Sequence, residues 1–374
     1  MNKNKVTRVF FIANNVSSGG GSAVLLAQVV NGLAKDKRYH IGVMEITHWN
    51  IKPEVFHKDV EIFPPYTYLD SPDRKEKMYS VYHEWDKVIE RYIPNDFDIY
   101  IAFNYLKPSF LLPKGKKNIV WMHGDIYDLV NKYNNTKDMS EERELLRVAL
   151  RKIDTIVAIN EFTAKSIEDV YPEYKDKIHI INNCIDRDRV KELSKERTVI
   201  KLKKPAIISV GRLDENKNPL RLLEIFKRVY KKDNAVRLYY LGCGDLENEL
   251  FKEIYLCGLQ ESVSILGFHE NPFPIICQAD VMGMFSESEG SPLAILEGLS
   301  LGIPFVASPV GFMELASNKQ TCGKVVDDND KAADFLLFYI YMDRYTKENL
   351  CDASVRRFSF DNYLDEIKQL IKSR

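Results

Sequence analysis

The feature that most constrains this chain is a rhythm of short, continuous apolar runs separated by stretches of helical spacing, and the rhythm occurs twice. In the first half, residues 9–13, 41–46, 99–103, 119–122, 153–159 and 178–181 read as strands apolar on both faces. Residues 23–34 and 141–151 lie between them with the apolar spacing of helices. In the second half, 206–210, 236–241, 263–266, 281–285 and 304–307 read as strands, and 219–230, 246–256 and 293–301 as helices. A strand apolar on both sides needs helices above and below it, so each half is expected to be a parallel sheet wound in both directions.

The expected class is therefore α/β, with two Rossmann-like doubly wound domains. A length of 374 residues agrees, because single cores stop growing at about 250–300 residues. Residues 1–190 are expected to form the first domain and 204–355 the second. The charged, weakly apolar stretch 187–204 reads as the linker, and 356–374 as a tail carrying an amphipathic helix over 361–371 with Tyr363, Ile367, Leu370 and Ile371 on one face. Two such sheets are expected to face a cleft, with ligands beyond the carboxyl ends of their strands.

Charge and cysteine content exclude several classes. A net charge of −1 leaves no nucleic-acid footprint. The cluster Lys114, Lys116 and Lys117 reads as a solvated loop, with contact to an anionic membrane as the alternative. Six scattered cysteines form no C-x-x-C pair, which argues against a disulfide framework or a zinc site and fits a reducing cytoplasm. No run approaches the ~20 apolar residues of a membrane span, so membrane attachment is expected to be peripheral.

Three segments could carry chemistry. Ser17 to Ser22 (SSGGGS) is a glycine turn between the first strand and a helix, where backbone N–H groups can approach a phosphate, although many α/β domains carry such a turn without one. Residues 209–219 (SVGRLDENKNP) place Arg212 and Lys217 between a strand end and a proline-initiated helix, a setting that suits a diphosphate; a solvated loop is the bland alternative. Residues 286–298 (SESEGSPLAILEG) set Glu289 in a turn and Glu297 about two helical turns later, within an apolar run where a carboxylate needs a hydrogen-bond partner.

The order and spacing of these segments resemble the retaining family 4 glycosyltransferases of the GT-B fold. The resemblance rests on the glycine turn, V-G-R-L-x-x-x-K-N at 210–218, E-G-x-P-x-x-x-x-E at 289–297, G-I-P-F-V-A-S at 302–308 and the Gly311 to Glu314 turn, and it spans nearly the whole chain. It implies that Arg212 and Lys217 hold the donor diphosphate in place of a metal. It also implies that Gly211 lies against the donor, that Gly290, Ser291 and Leu293 offer backbone N–H groups, and that Glu297 binds the ribose. Glu289 would face the transferred sugar, Gly20 and Gly21 would close over the β-phosphate, and His123, at the end of a buried strand, would lie beside the sugar without acting as a general base.

Residues 183–186 (NCID) depart from the N-G-V-D that relatives carry, and Asn160 stands where they often have Ser. The triplets Asp186-Arg187-Asp188, Asp328-Asn329-Asp330 and Asp96-Phe97-Asp98 spell the D-x-D of metal-dependent transferases, but a pattern so short recurs by chance.

The implied activity is retaining transfer of a hexosyl or N-acetylhexosaminyl group from a UDP-sugar, with GDP-sugars as the alternative, to a carbohydrate or lipid-linked glycan in cell-surface polysaccharide synthesis. No cofactor, metal or nucleic acid is expected. The expected place is the cytoplasm, with contact to the inner membrane face left open; residues 75–92, rich in aromatics and charge, could line an acceptor or membrane surface or simply form a docked helix. A catalytically inactive partner or chaperone subunit and a sugar-nucleotide epimerase are the rival readings.

Overall fold

Residues 9–12 are wholly buried, and a strand with no exposed face requires neighbours on both edges and helices on both sides. The computed structural model provides them. It describes residues 6–17, 21–49, 56–104, 107–124, 126, 139–311 and 322–373. Two units are present: Met1–Asn182 with Leu364–Arg374, and Asn183–Tyr363.

The first unit holds a seven-stranded sheet of β1 (Thr7–Ala13), β2 (Tyr39–Glu45), β3 (Val60–Ile62), β4 (Ile99–Phe103), β5 (Lys117–Met122), β6 (Thr155–Ala158) and β7 (Ile178–Ile180). All pairs are parallel, in the order β3-β2-β1-β4-β5-β6-β7. Helices of this unit include α1 (Gly21–Ala34), α2 (Arg74–His83), α3 (Trp85–Tyr92), α4 (Lys107–Phe110), α5 (Met139–Leu150) and α6 (Glu161–Val170). Residues 75–92 thus form most of two docked helices, with Val81 and Val88 buried.

The second unit repeats the plan with β8 (Ala206–Val210), β9 (Arg237–Leu241), β10 (Val263–Ile265), β11 (Val281–Met284), β12 (Phe305–Ala307) and β13 (Gly323–Val325). They pair in parallel in the order β10-β9-β8-β11-β12-β13. Its helices include α7 (Arg187–Leu193), α8 (Pro219–Lys232), α9 (Glu247–Leu256), α10 (Leu293–Ser300), α11 (Asn329–Tyr341), α12 (Arg344–Val355) and the start of α13 (Phe360–Lys372).

In both sheets the winding reverses beside the first strand, between β1 and β4 and between β8 and β11. Connections leaving those neighbours run to opposite sides and open a crevice at their carboxyl ends. Segments far apart in sequence meet there.

The domain boundaries differ from those expected. The stretch 187–204 is not a free linker: α7 buries Val190, Arg187 pairs with Asp352, and the Ile185 N–H donates to the Phe358 carbonyl at 2.8 Å, all inside the second unit. Its charged surface hides these anchoring contacts, to which the Asn271 amide donating to the Leu193 carbonyl at 2.9 Å adds another. The tail returns to the first unit from Leu364, where the Lys117 ammonium donates to the carbonyls of Leu370 at 2.9 Å and Ile371 at 3.2 Å. The amphipathic face expected there is buried at Tyr363, Ile367, Leu370 and Ile371.

Candidate active site

At the reversal point of the second unit, the loop after β8 lies against the loop after β11. The Glu287 N–H donates to the Asn216 carbonyl at 2.8 Å, and the Asn216 amide donates to the Ser288 carbonyl at 3.0 Å. These backbone ties set the Lys217 ammonium on the Glu289 carboxylate, across 72 residues of sequence. The Ser286 hydroxyl donates to the same Glu289 oxygen at 2.7 Å. Both charged side chains are largely buried, at 22% and 10% exposure.

Arg212 is placed differently. Its guanidinium is 74% exposed and pairs with Asp214 at 3.0 Å, while the other Asp214 oxygen accepts from the Lys217 N–H at 2.9 Å. The two cations expected to work together are therefore linked through Asp214, one sheltered and one reaching into solvent. Asn218 holds the left-handed conformation (φ 45°) and caps α8 by accepting from the Arg221 N–H at 3.1 Å, with Pro219 filling the first helical position.

Beyond Glu289 the chain passes Gly290 and Ser291 into α10, whose cap position is Pro292 and carries no side-chain acceptor. Among the described residues no side chain caps the first N–H groups of this helix, Leu293 among them. Gly311 backs the turn at φ +58°; a Cβ there would lie 1.9 Å from the Glu289 carbonyl oxygen. Only glycine fits so close an approach. Four residues into α10, Glu297 is partly buried and, among the described residues, without a hydrogen-bond or ion-pair partner. Burial pushes its carboxyl up to about 7.

Beside this loop lies a cavity of about 210 Å³, lined among others by Gly211, Arg212, Gly242, Cys243, Phe268 and His269. Gly242 (φ +147°) is pressed against Gly211 so closely that a Cβ would meet the Gly211 carbonyl oxygen at 1.9 Å. Missing side chains at the carboxyl ends of β8 and β9 thus shape the pocket floor.

In the first unit, His123 follows β5 and its ring packs 4.5 Å from that of Phe103, the last residue of β4. Among the described residues its buried Nε2 has no hydrogen-bond partner, and burial pushes its pKa down to about 3, so the ring is neutral. Gly21 opens α1. Gly20, Asp125 and Glu314 lie outside the described residues.

Sequence reasoning missed Glu45 at the end of β2. One of its oxygens accepts from the Val16 N–H (2.8 Å), the Ser17 N–H (3.1 Å) and the Ser17 hydroxyl (2.9 Å), while the other pairs with His48. This carboxylate fixes the entry to the glycine turn. Half of its partners are backbone N–H groups, which no residue pattern advertises.

The D-x-D triplets have local duties. Asp186 caps α7, Asp328 caps α11, and Asp98 and Asp96 bind the Arg8 backbone and guanidinium. Among the described residues no group of three or more His, Cys, Asp or Glu could hold a metal ion. Nor is any helix among them long and apolar enough to cross a membrane. Asn160 caps α6, accepting from the Thr163 N–H at 2.7 Å.

Two sequence families match end to end. Residues 19–189 match Glycosyltransferase Family 4 and residues 190–337 match Glycosyl transferases group 1. The chain belongs to the family 4 type of GT-B glycosyltransferases. Among curated relatives of this glycosyltransferase, an uncharacterized glycosyltransferase of Methanocaldococcus jannaschii is 32% identical over 161 residues, 41% of this chain and 39% of the relative. The N-acetylgalactosamine-N,N'-diacetylbacillosaminyl-diphospho-undecaprenol 4-alpha-N-acetylgalactosaminyltransferase of Campylobacter jejuni is 28% identical over 191 residues, 51% of this chain and 48% of the relative. The chain thus spans less than half the length of either. Among solved structures, Anabaena HepE in complex with UDP-glucose superposes with a TM-score of 0.71 at 16% identity, covering 98% of this glycosyltransferase and 100% of HepE, a likeness of fold.

Proposed function

We propose that this glycosyltransferase moves a hexosyl or N-acetylhexosaminyl group from a UDP-sugar to a glycan acceptor with retention of anomeric configuration and without a metal. The observation that carries the reading is the Lys217–Glu289 contact at the reversal point, beside the uncapped start of α10. The donor diphosphate takes the Lys217 ammonium, the Arg212 guanidinium and the N–H groups of Gly290, Ser291 and Leu293. Glu289, released from Lys217, turns to the sugar.

The chemistry follows from those charges. As the bond from the anomeric carbon to the diphosphate breaks, negative charge grows on the leaving phosphate, where Lys217 and Arg212 stabilise it. Positive charge grows on the anomeric carbon beside Glu289. The acceptor oxygen bonds that carbon on the face being vacated, and its proton passes to the leaving phosphate. Neutral His123 positions a sugar hydroxyl. Gly20 and Gly21 close over the β-phosphate, with Glu45 fixing the turn through Ser17.

The base falls to the 210 Å³ cavity, which is smaller than the range usual for whole drug-sized ligands and has room for a nucleobase. What favours uridine over guanosine is that HepE is a neighbour crystallised with UDP-glucose. Glu297 accepts from the ribose hydroxyls, which answers its lack of a partner among the described residues. The Campylobacter relative, named for a diphospho-undecaprenol substrate, supports a lipid-linked acceptor, and a Rhizobium meliloti relative named for lipopolysaccharide core biosynthesis supports a role in surface polysaccharide synthesis.

Melting of the native protein with UDP, GDP and their sugars in EDTA tests the donor assignment. Stabilisation by the uridine compounds, weakened in Arg212→Ala, is expected. Stabilisation by guanosine compounds alone would overturn the base, and its loss in EDTA would overturn the metal-free site.

A further inference from the structure

Two cations in the first unit, Arg74 and Lys107, have no anion among the described residues. Arg74 is the first residue of α2, and Lys107 opens α4, which packs against α2. Both are half-buried. Among the described residues neither side chain makes a hydrogen bond or an ion pair, and the Arg74 Nε is buried with no partner. The nearest carboxylate in sequence, Asp73, is occupied by Lys77 at 3.2 Å and by the Ser71 hydroxyl. Burial holds the Lys107 ammonium below the usual lysine range, and the charge of Arg74 pushes it the same way.

A protein gains nothing for its own stability by half-burying two like charges together. Lys107 opens the helix that follows β4, one of the two strands flanking the reversal point, and with Arg74 it makes a site for an anion. Lys107 lies four residues beyond Phe103, the residue whose ring packs on His123. Asn104, which follows Phe103, sits at φ 102°, a conformation few residues other than glycine hold without strain, and such strain gathers at functional sites.

We propose that Arg74 and Lys107 bind the diphosphate group of the acceptor. The guanidinium presents a planar fork and the ammonium a mobile point charge, a pair matched to two linked phosphates. The inference rests on the transferase reading and names its acceptor class. The diphosphate is a recognition handle here: none of its bonds breaks, and the reacting hydroxyl lies elsewhere on the acceptor.

Calorimetric titration of the full chain, in EDTA and with UDP in excess to occupy Arg212 and Lys217, tests the site. The probes are inorganic pyrophosphate and farnesyl diphosphate, applied to the native protein and to Arg74→Gln and Lys107→Gln. Each substitution is expected to weaken both probes at least tenfold, and Lys107→Gln to raise the melting temperature in anion-free buffer by removing the repulsion. Tighter binding of farnesyl diphosphate supports the site and assigns a lipid-linked source; equal binding supports the site and assigns a soluble one. Affinities that ignore both substitutions, or a Lys107→Gln protein that melts lower than native, would overturn it. Donor hydrolysis by the same samples separates the two ideas. Hydrolysis with indifferent pyrophosphate binding removes this site alone, whereas pyrophosphate binding through Arg74 and Lys107 without any hydrolysis removes the transferase reading alone.

Discussion

The Lys217 ammonium rests on the Glu289 carboxylate, and Ser286 donates to the same oxygen. The residue expected to hold the leaving diphosphate and the one expected to face the sugar thus satisfy each other. Donor binding must exchange this pair for two new ones. Glu289→Gln keeps the Ser286 hydrogen bond but removes the charge, so kcat is expected to fall about 10²-fold with the donor KM little changed, as for loss of one transition-state contact. Lys217→Met is expected to raise the donor KM as well as lower kcat. Steady-state kinetics with varied donor separates the two patterns.

Gly311 supports the same turn from behind. Alanine there would set a methyl 1.9 Å from the Glu289 carbonyl oxygen and 2.9 Å from that of Gly290. Gly311→Ala is expected to displace the turn, to weaken donor binding at least tenfold and to destabilise the second unit by about 1–3 kcal/mol. Nucleotide titration together with thermal melting checks both effects.

Glu297 gives the second unit a pH signature. Burial raises its carboxyl from 4.5 to about 7. Below pH 4.5 the group is protonated folded or unfolded, and its contribution to stability is complete. Between 4.5 and 7 only the unfolded state releases the proton, so stability falls as pH rises and levels off above 7. The fall is on the order of 3 kcal/mol. Urea unfolding at pH 5 and pH 8 should show it in the native protein and not in Glu297→Gln, whose curve differs by that amount.

His123 predicts a flat response. Burial pushes it down to about 3, so its ring is neutral across the working range and adds no limb to the pH–rate profile. Ring resonances assigned to His123 by NMR should not shift between pH 5 and 9. His123→Phe is expected to lower kcat/KM by up to about tenfold, the loss of one neutral hydrogen bond.

The long apolar runs made both sheets legible, because burial on two faces leaves little room for another reading. Where pairing was brief, as in the three-residue edge strands Val60–Ile62 and Gly323–Val325, no pattern stood out. The loops at 209–219 and 286–298 were legible as turns through their glycines and prolines. Their mutual contact was not, since it depends on the strand order that sets β8 beside β11. Glu45 escaped notice because two of its four partners are backbone N–H groups, and the charge of 187–204 concealed the residues, Val190 among them, that fasten it to the second unit.

The most direct test of the account is slow release of UDP from a panel of UDP-sugars in EDTA, with the native protein beside Glu289→Ala and Lys217→Ala. The account predicts release from at least one UDP-sugar, persisting in EDTA and lowered about 10²-fold in each variant. Release unchanged in both variants, or none from any UDP-sugar, would contradict it.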